Sequence, residues 1–377
     1  MSRQREVVII GGGVIGSSLG YQLAKQGKKV TIVEQSDLAS GASGAAAGML
    51  AADCEQFEHP ELQTMAKMSR DLFPALIHEL RKISGIDAGL NQQGFLTPAR
   101  DKQEAENLQA ELLAAGTGGE WWTPEKLSQA EPALTEGLTG AIYRSDEIQV
   151  IPSKLTEAFA YSAQAEGAVL LRQTEATSIQ VQDKRVQGVQ TSGVFLRCDQ
   201  VVLAGGWRTE QLLQPLGLTL PLEPVKGEIV EVRTRVPLLQ ATLYAKSIYI
   251  VPKPGNRLWI GATSIPGDSS EGVSADSIVR LLSEAAKWIP EIRNAQFERA
   301  WAGHRPKSPD GLPYLGGFQE IQGLFAAAGH YRNGILLSAM TARLLASEME
   351  GTTTPGINLV PFRPDRFQHQ LEGGLIR

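Results

Sequence analysis

Gly11, Gly13 and Gly16 stand at G-x-G-x-x-G spacing, directly after the apolar run Val7-Val8-Ile9-Ile10 and directly before a helical pattern. A strand that ends this way and opens into a helix turns unpaired backbone N–H groups and the positive helix end toward one point, where a pyrophosphate can sit. Gly11 allows the tight turn, Gly13 leaves room for the pyrophosphate, and Gly16 lets the helix that begins with Val14 and Ile15 pack closely on its strand. A second apolar run, Lys29-Val30-Thr31-Ile32-Val33, ends at Glu34. A carboxylate there accepts hydrogen bonds from an adenosine ribose and repels the 2'-phosphate of NADP. The expected ligand is therefore FAD or NAD.

A second dense cluster lies in the last third. Residues 324–337 read as a strand, a glycine-containing loop and a helix running to about Met349, and a helix N-terminus near Gly334 points its dipole at a second part of the same cofactor. A nicotinamide enzyme has no obvious use for this return. A flavin, held along its whole length and stabilised when reduced and anionic, does. The Gly/Ala/Ser stretch from Ser40 to Met49 has the composition of a flexible linker, yet its position just after Glu34 suits close approach of backbone amides to a long cofactor.

The elements around these residues alternate in period. Residues 14–25, 61–84, 103–115 and 154–166 read as helix, 29–33 as strand, and Gln200 to Trp207 as a buried strand ending in the Gly205-Gly206 turn. Residues 140–144 and 221–304 turn to short alternating runs separated by Gly, Pro and Asn, which predicts an antiparallel sheet. The interleaving implies an α/β chain that visits two domains more than once. One comprises residues 1–85, 145–220 and 305–377, the other 86–144 and 221–304.

Composition narrows the class. With 377 residues and 42% hydrophobic content the chain has enough for two cores, and a net charge of −5 without a long Lys/Arg run argues against nucleic acid or an anionic membrane as partner. Cys54 and Cys198 stand far apart, which fits a reducing compartment rather than a disulfide framework or a zinc site. Arg3 and Arg5 before the first apolar run imitate a signal peptide, but three glycines break that run and no cleavage site follows. This predicts a cytoplasmic start.

GGGVIGSSLGYQLAKQGKKVTIVE, SGAAAGML, VVLAGGW, LYAKSIYIVPKPGNRLWIGATSIPGD, WAGHRPKSPDGLPYLG and FAAAGHYRNGILLSAMTA follow one another in an order that resembles the D-amino-acid oxidase superfamily. Within it the chain is similar to the glycine oxidase family of bacterial thiamine biosynthesis, over essentially its whole length. The resemblance implies an FAD-binding Rossmann-like domain of the D-amino-acid oxidase type, noncovalent FAD, a small amine substrate such as glycine, oxygen as acceptor, and a homotetramer. It assigns Arg305 as the carboxylate clamp and Tyr249, reached from the neighbouring strand, as a second carboxylate ligand. A guanidinium binds a carboxylate through two parallel hydrogen bonds, fixing position and rotation together.

The same resemblance carries cofactor contacts onto Gly11, Gly13, Val14, Ile15, Gly16, Glu34, Ser43, Ala46, Ala47, Gly48, Met49, Ala176, Gly205, Gly206 and Trp207. It adds the loop His330, Tyr331, Arg332, Asn333, Gly334, Ile335 and Leu336, with Arg332 within reach of the substrate. No metal is implied. His304 is expected to point away from the Arg305 face as a structural residue, and His59, His78 and His369 to be exposed and idle. Covalent-flavin relatives such as monomeric sarcosine oxidase carry a cysteine near the Arg305 region, and none stands here. Where the family pattern has methionine this chain has Ser264, and more room is expected in the pocket near the amine. A D-amino-acid or sarcosine oxidase of the same fold, a dehydrogenase passing electrons to a partner, and a non-enzymatic flavin-binding protein remain the other readings.

Overall fold

The structure, a computed structural model, describes residues 6–55, 57–114 and 118–368. Arg3, Arg5 and His369 lie outside the described residues.

A six-stranded sheet carries the nucleotide motif. Its strands run in the order Tyr314–Gly317, Leu324–Ala328, Gln200–Leu203, Glu6–Ile10, Lys29–Val33 and Val169–Leu171, all parallel except the first. Val7 to Ile10 are all buried, as a parallel strand covered on both faces requires. Val7 and Ile9 pack among the helices Val14–Lys25, Pro60–Ser84, Pro152–Ala165 and Gly334–Met349, whereas Val8 and Ile10 pack on the opposite face. That second face is covered by a three-stranded antiparallel sheet, Ala176–Gln182, Arg185–Thr191 and Phe195–Arg197. The sequence reading did not anticipate this sheet, because its strands are polar along much of their length and carry few of the apolar alternations that mark a half-buried strand.

A second, nine-stranded sheet draws on residues 95–99, 120–122, 140–144, 223–266 and 296–307. It is antiparallel as expected apart from one parallel pairing, Thr242–Ala245 against Phe95–Ala99. One face is closed by the helix Ala275–Trp288, which lies inside a region read from sequence as alternating runs. Ile278, Leu281, Leu282, Ala285 and Trp288 fall at helical spacing and face the core, and the Ser274 hydroxyl caps the helix by accepting the Ser277 N–H at 3.1 Å. The other face, with Ile229, Val251 and Trp259, turns toward Ala47 and Met49 of the first unit.

The Gly/Ala/Ser stretch is not a free linker. Residues Ala42–Ala45 form a helical turn and Met49–Leu50 pairs with Ile148–Gln149. The Trp301 indole donates to the Ala45 carbonyl at 3.1 Å, docking this stretch on the nine-stranded sheet.

Candidate functional site

A continuous cavity of about 1890 Å³ runs between the two sheets. Ligand pockets commonly span roughly 300–1,000 Å³, so this one has room for a long cofactor and a small substrate together.

At one end the helix Val14–Lys25 begins on Gly13, with no side-chain cap from Gly13 and no acidic residue in its first turn. Its positive end is left to a ligand, apart from the Val14 N–H, which donates to Ser43 Oγ at 2.9 Å. Glu34 ends the adjacent strand and lines the cavity while only 8% exposed. Its Oε2 accepts the Gly12 N–H at 2.6 Å and its Oε1 accepts the Ser36 N–H at 2.9 Å, which fixes the carboxylate and leaves lone pairs for ribose hydroxyls.

Gly11, Gly13, Val14, Ile15, Ala46, Ala47, Gly48, Met49, Ala176, Gly205, Gly206 and Trp207 also line the cavity. Gly16 does not. A Cβ there would overlap the Gly11 carbonyl oxygen, so Gly16 brings the helix onto the turn from behind. Leu336 is also outside the wall, buried in the helical core at 2% exposure.

The return loop follows Leu324–Ala328. Tyr331, Asn333, Gly334 and Ile335 line the cavity, and the helix Gly334–Met349 starts there without a side-chain cap or an acidic first turn. The Tyr331 N–H donates to the Pro306 carbonyl at 2.9 Å, tying this loop to the strand that bears Arg305. The His330 ring is buried, with Nε2 3.0 Å from Thr341 Oγ1. Burial pushes its pKa down to about 3, so it stays neutral at a position that also borders the cavity.

A base whose folded pKa is depressed binds fewer protons in the folded chain than in the unfolded one between pH 3 and 6.5. Stability is then full above pH 6.5 and falls with acid toward pH 3. His330→Gln is expected to flatten stability against pH between 6.5 and 4 by up to about 1.4 kcal/mol per pH unit. Denaturant titrations at several pH values check this; equal slopes in both proteins would refute it.

At the other end stand Arg305, on the strand Gln296–Lys307, and Tyr249, on Ile248–Lys253. These strands are not neighbours: Glu223–Arg233 and Arg257–Gly261 lie between them. Both intervening strands carry glycine where the side chains must cross. A Cβ on Gly227 would overlap the Arg305 guanidinium, and one on Gly261 would lie 2.6 Å from the Tyr249 ring. Two bare positions on a sheet thus let both groups lie along its surface.

Arg305 Nη1 donates to the Thr263 carbonyl at 3.1 Å, and among the described residues no carboxylate lies within ion-pairing distance of it. A guanidinium so placed is incomplete without an anion. Burial pushes the Tyr249 hydroxyl up, with Arg305 and Arg332 acting against it, so the phenol remains a hydrogen-bond donor.

Arg332 also reaches the cavity, but its charge is met. Nη2 pairs with Glu55 Oε1 at 3.0 Å and lies 3.4 Å from the Tyr244 hydroxyl, which itself donates to Glu55 at 2.9 Å. Sequence reasoning missed Glu55 and Tyr244; an acidic residue just after the small-residue stretch was the one available signal. Ser264 is exposed on the wall beside Thr263. His304 borders the cavity near Trp207, its Nε2 3.0 Å from the Ser270 carbonyl. His78 is exposed, whereas His59 is half-buried where the helix Pro60–Ser84 begins. Cys198 is buried in the core, and Cys54 borders the cavity with its thiol pushed up by burial, which disfavours a reactive thiolate.

Residues 6–348 match the family described as FAD dependent oxidoreductase. The chain belongs to this family. It is 44% identical over 367 residues to the glycine oxidase of Geobacillus kaustophilus, covering 96% of this chain and 97% of that protein. The crystal structure of glycine oxidase from that organism superposes with a TM-score of 0.90 at 43% identity, covering 96% and 99% of the two chains. The bifunctional protein ThiO/ThiG of Trichormus variabilis is 32% identical over 371 residues, which are 97% of this chain and 56% of that protein. This FAD-dependent oxidoreductase has two open helix N-termini and a fixed carboxylate on one cavity, a donor set suited to a dinucleotide held at both ends.

Proposed function

We propose that this enzyme oxidises glycine to its imine, which water converts to glyoxylate and ammonia while oxygen is reduced to hydrogen peroxide. The observation that carries the reading is the unpaired Arg305 guanidinium beside Tyr249 at the end of a flavin-sized cavity. Bound FAD, held noncovalently along residues 11, 13–15, 34, 43, 45–49 and 330–335, supplies the acceptor for a hydride from the substrate Cα.

The chain's own contribution is orientation. Arg305 and Tyr249 fix the carboxylate, and this aims the neighbouring Cα–H at the cofactor side of the cavity. A substrate arriving with a neutral amine needs no general base, so the neutral His330 and the Glu55-paired Arg332 are not required as one. Arg332 is assigned the far wall of the substrate space. Anaerobic mixing with glycine, D-alanine and sarcosine, followed by air, tests the reading. Bleaching by glycine and peroxide on aeration are expected; bleaching by D-alanine alone would favour a D-amino-acid oxidase.

Ser264 bears on selectivity. A small hydroxyl on the wall near the amine leaves room for an N-methyl group but does little for bulk on Cα. Ser264→Met is expected to lower catalytic efficiency on sarcosine relative to glycine by about 10- to 100-fold, since a hydrophobic wall discriminates about 1–3 kcal/mol per methylene. A parallel fall for sarcosine and D-alanine would remove Ser264 from the amine side.

The reading also includes a cytoplasmic homotetramer whose imine feeds thiazole formation for thiamine. Two free cysteines support a reducing compartment, and a relative bearing a second protein in the same chain supports hand-over to a following step. Among the described residues no helix is long and apolar enough to cross a membrane. The division into 1–85, 145–220 and 305–377 against 86–144 and 221–304 is supported by the two large sheets, which draw strands from one set each, except that Gln296–Lys307 crosses the boundary at Arg305.

A further inference from the structure

Behind the carboxylate clamp, on the side of the sheet away from the cavity, sits a charged cluster with no part in the chemistry above. Glu228 is fully buried and Lys226 is 4% exposed. Lys226 Nζ lies 3.5 Å from Glu228 Oε1 and 3.2 Å from Asp268 Oδ2, and it donates to Ser270 Oγ at 2.8 Å. Glu228 Oε1 accepts the Ser274 N–H at 3.0 Å, and Oε2 accepts the Thr263 hydroxyl at 3.1 Å. Thr263 is itself 2% exposed and touches Glu228 three ways: that bond, its Oγ1 accepting the Glu228 N–H at 2.9 Å, and its own N–H to the Glu228 carbonyl at 3.4 Å. Its remaining polar atom, the carbonyl oxygen, accepts Arg305 Nη1.

One threonine thus joins a buried carboxylate on one face to the guanidinium on the other. Burial works against the charge of Glu228, but Ser277, the Ser274 N–H, Thr263 and Lys226 hold its carboxyl below the usual range, so the anchor is an anion at neutral pH. We propose that Glu228 and Thr263 are positioning residues for substrate binding: Glu228 locks Thr263 so that its carbonyl holds one edge of Arg305 and presents the other edge to the substrate carboxylate. The arrangement suits a clamp whose guanidinium lies over Gly227, which offers no side chain to steer it. A carbonyl locked from behind replaces that wall without neutralising the cation, as a directly paired acid would. This inference rests on Arg305 being the carboxylate clamp of the proposed function.

The test uses holoenzymes and two readouts, the dissociation constant of acetate by calorimetry and the KM and kcat for glycine. Thr263→Val keeps the shape and removes the hydroxyl. Acetate affinity is expected to fall about tenfold and the KM for glycine to rise about tenfold, with kcat within about twofold and FAD content unchanged. Thr263→Ser is expected to recover most of the affinity. In an Arg305→Lys background, where the bonded guanidinium edge is gone, Thr263→Val is expected to add little.

Unchanged acetate affinity in Thr263→Val, failure of Thr263→Ser to recover it, or the same loss in the Arg305→Lys background would each overturn the proposal. If Thr263→Val does not fold, Glu228→Gln carries the same comparison with the same expected direction. A parent enzyme that binds acetate but does not oxidise glycine refutes the glycine reading and leaves the relay measurable. A parent that binds no acetate overturns the clamp and the relay together.

Discussion

Arg305→Ala is expected to abolish glycine oxidation while the protein stays yellow. The substrate carboxylate loses a bidentate, charge-assisted pair, and hydrogen bonds to charged groups contribute about 1.5–3 kcal/mol each. Catalytic efficiency should fall by a factor on the order of 100 or more, in both KM and kcat, because an unclamped carboxylate also frees the Cα–H to swing away from the acceptor. FAD content is expected to hold, since Arg305 bonds to the Thr263 carbonyl beside Tyr249 and the proposed grip on the cofactor lies elsewhere, at Glu34 and the two helix starts. Stopped-flow reduction of the flavin over a range of glycine concentrations gives both constants. Near-normal turnover with unchanged affinity would remove Arg305 from the site.

Gly16→Ala is expected to yield a protein that purifies largely colourless. A methyl group there collides with the carbonyl oxygen of Gly11, a backbone atom that cannot swing aside, and also lies 3.2 Å from Ile9 Cγ2. Overpacking of this kind typically costs about 1–3 kcal/mol. The relief available is to lift the helix start off the turn, which moves the N–H groups intended for the pyrophosphate. FAD affinity should fall by about 10- to 100-fold, and more if the strand shifts as well. Flavin absorbance after purification, followed by FAD titration of the apoprotein, measures it. Full occupancy at native affinity would show that the close approach of helix and turn is not needed for binding.

The nucleotide end was legible because its physics is local. Gly11, Gly13, Gly16 and Glu34 act through backbone conformation and strand termini, and both follow from a few consecutive residues. The return loop was legible for the same reason. The substrate end was harder. Arg305 and Tyr249 were placed on neighbouring strands, yet two strands separate them, and what lets them meet is glycine at 227 and 261. An isolated glycine in a strand marks a close approach without naming what approaches. Leu336 and Gly16 were counted as cofactor contacts because they sit inside the motifs, but helix periodicity turns one into the core and packing hides the other. Glu55 was missed because its meaning comes from Arg332, 277 positions away. The helix Ala275–Trp288 was missed because its capping serine lies in a Ser/Gly-rich run that reads as loop.

The bond from the Tyr331 N–H to the Pro306 carbonyl makes the molecule its own ruler. The loop that borders the cavity and the strand that bears Arg305 are joined main chain to main chain, one residue from Arg305 on one side and one from Arg332 on the other. On the proposed reading, the span between electron donor and electron acceptor is therefore written in backbone, not in side chains. Side chains that border the cavity, Ser264 and Glu55 among them, are not part of that main-chain link, so exchanging them to admit a different amine is expected to leave the span the same. Such a chassis can change its diet without relearning its chemistry.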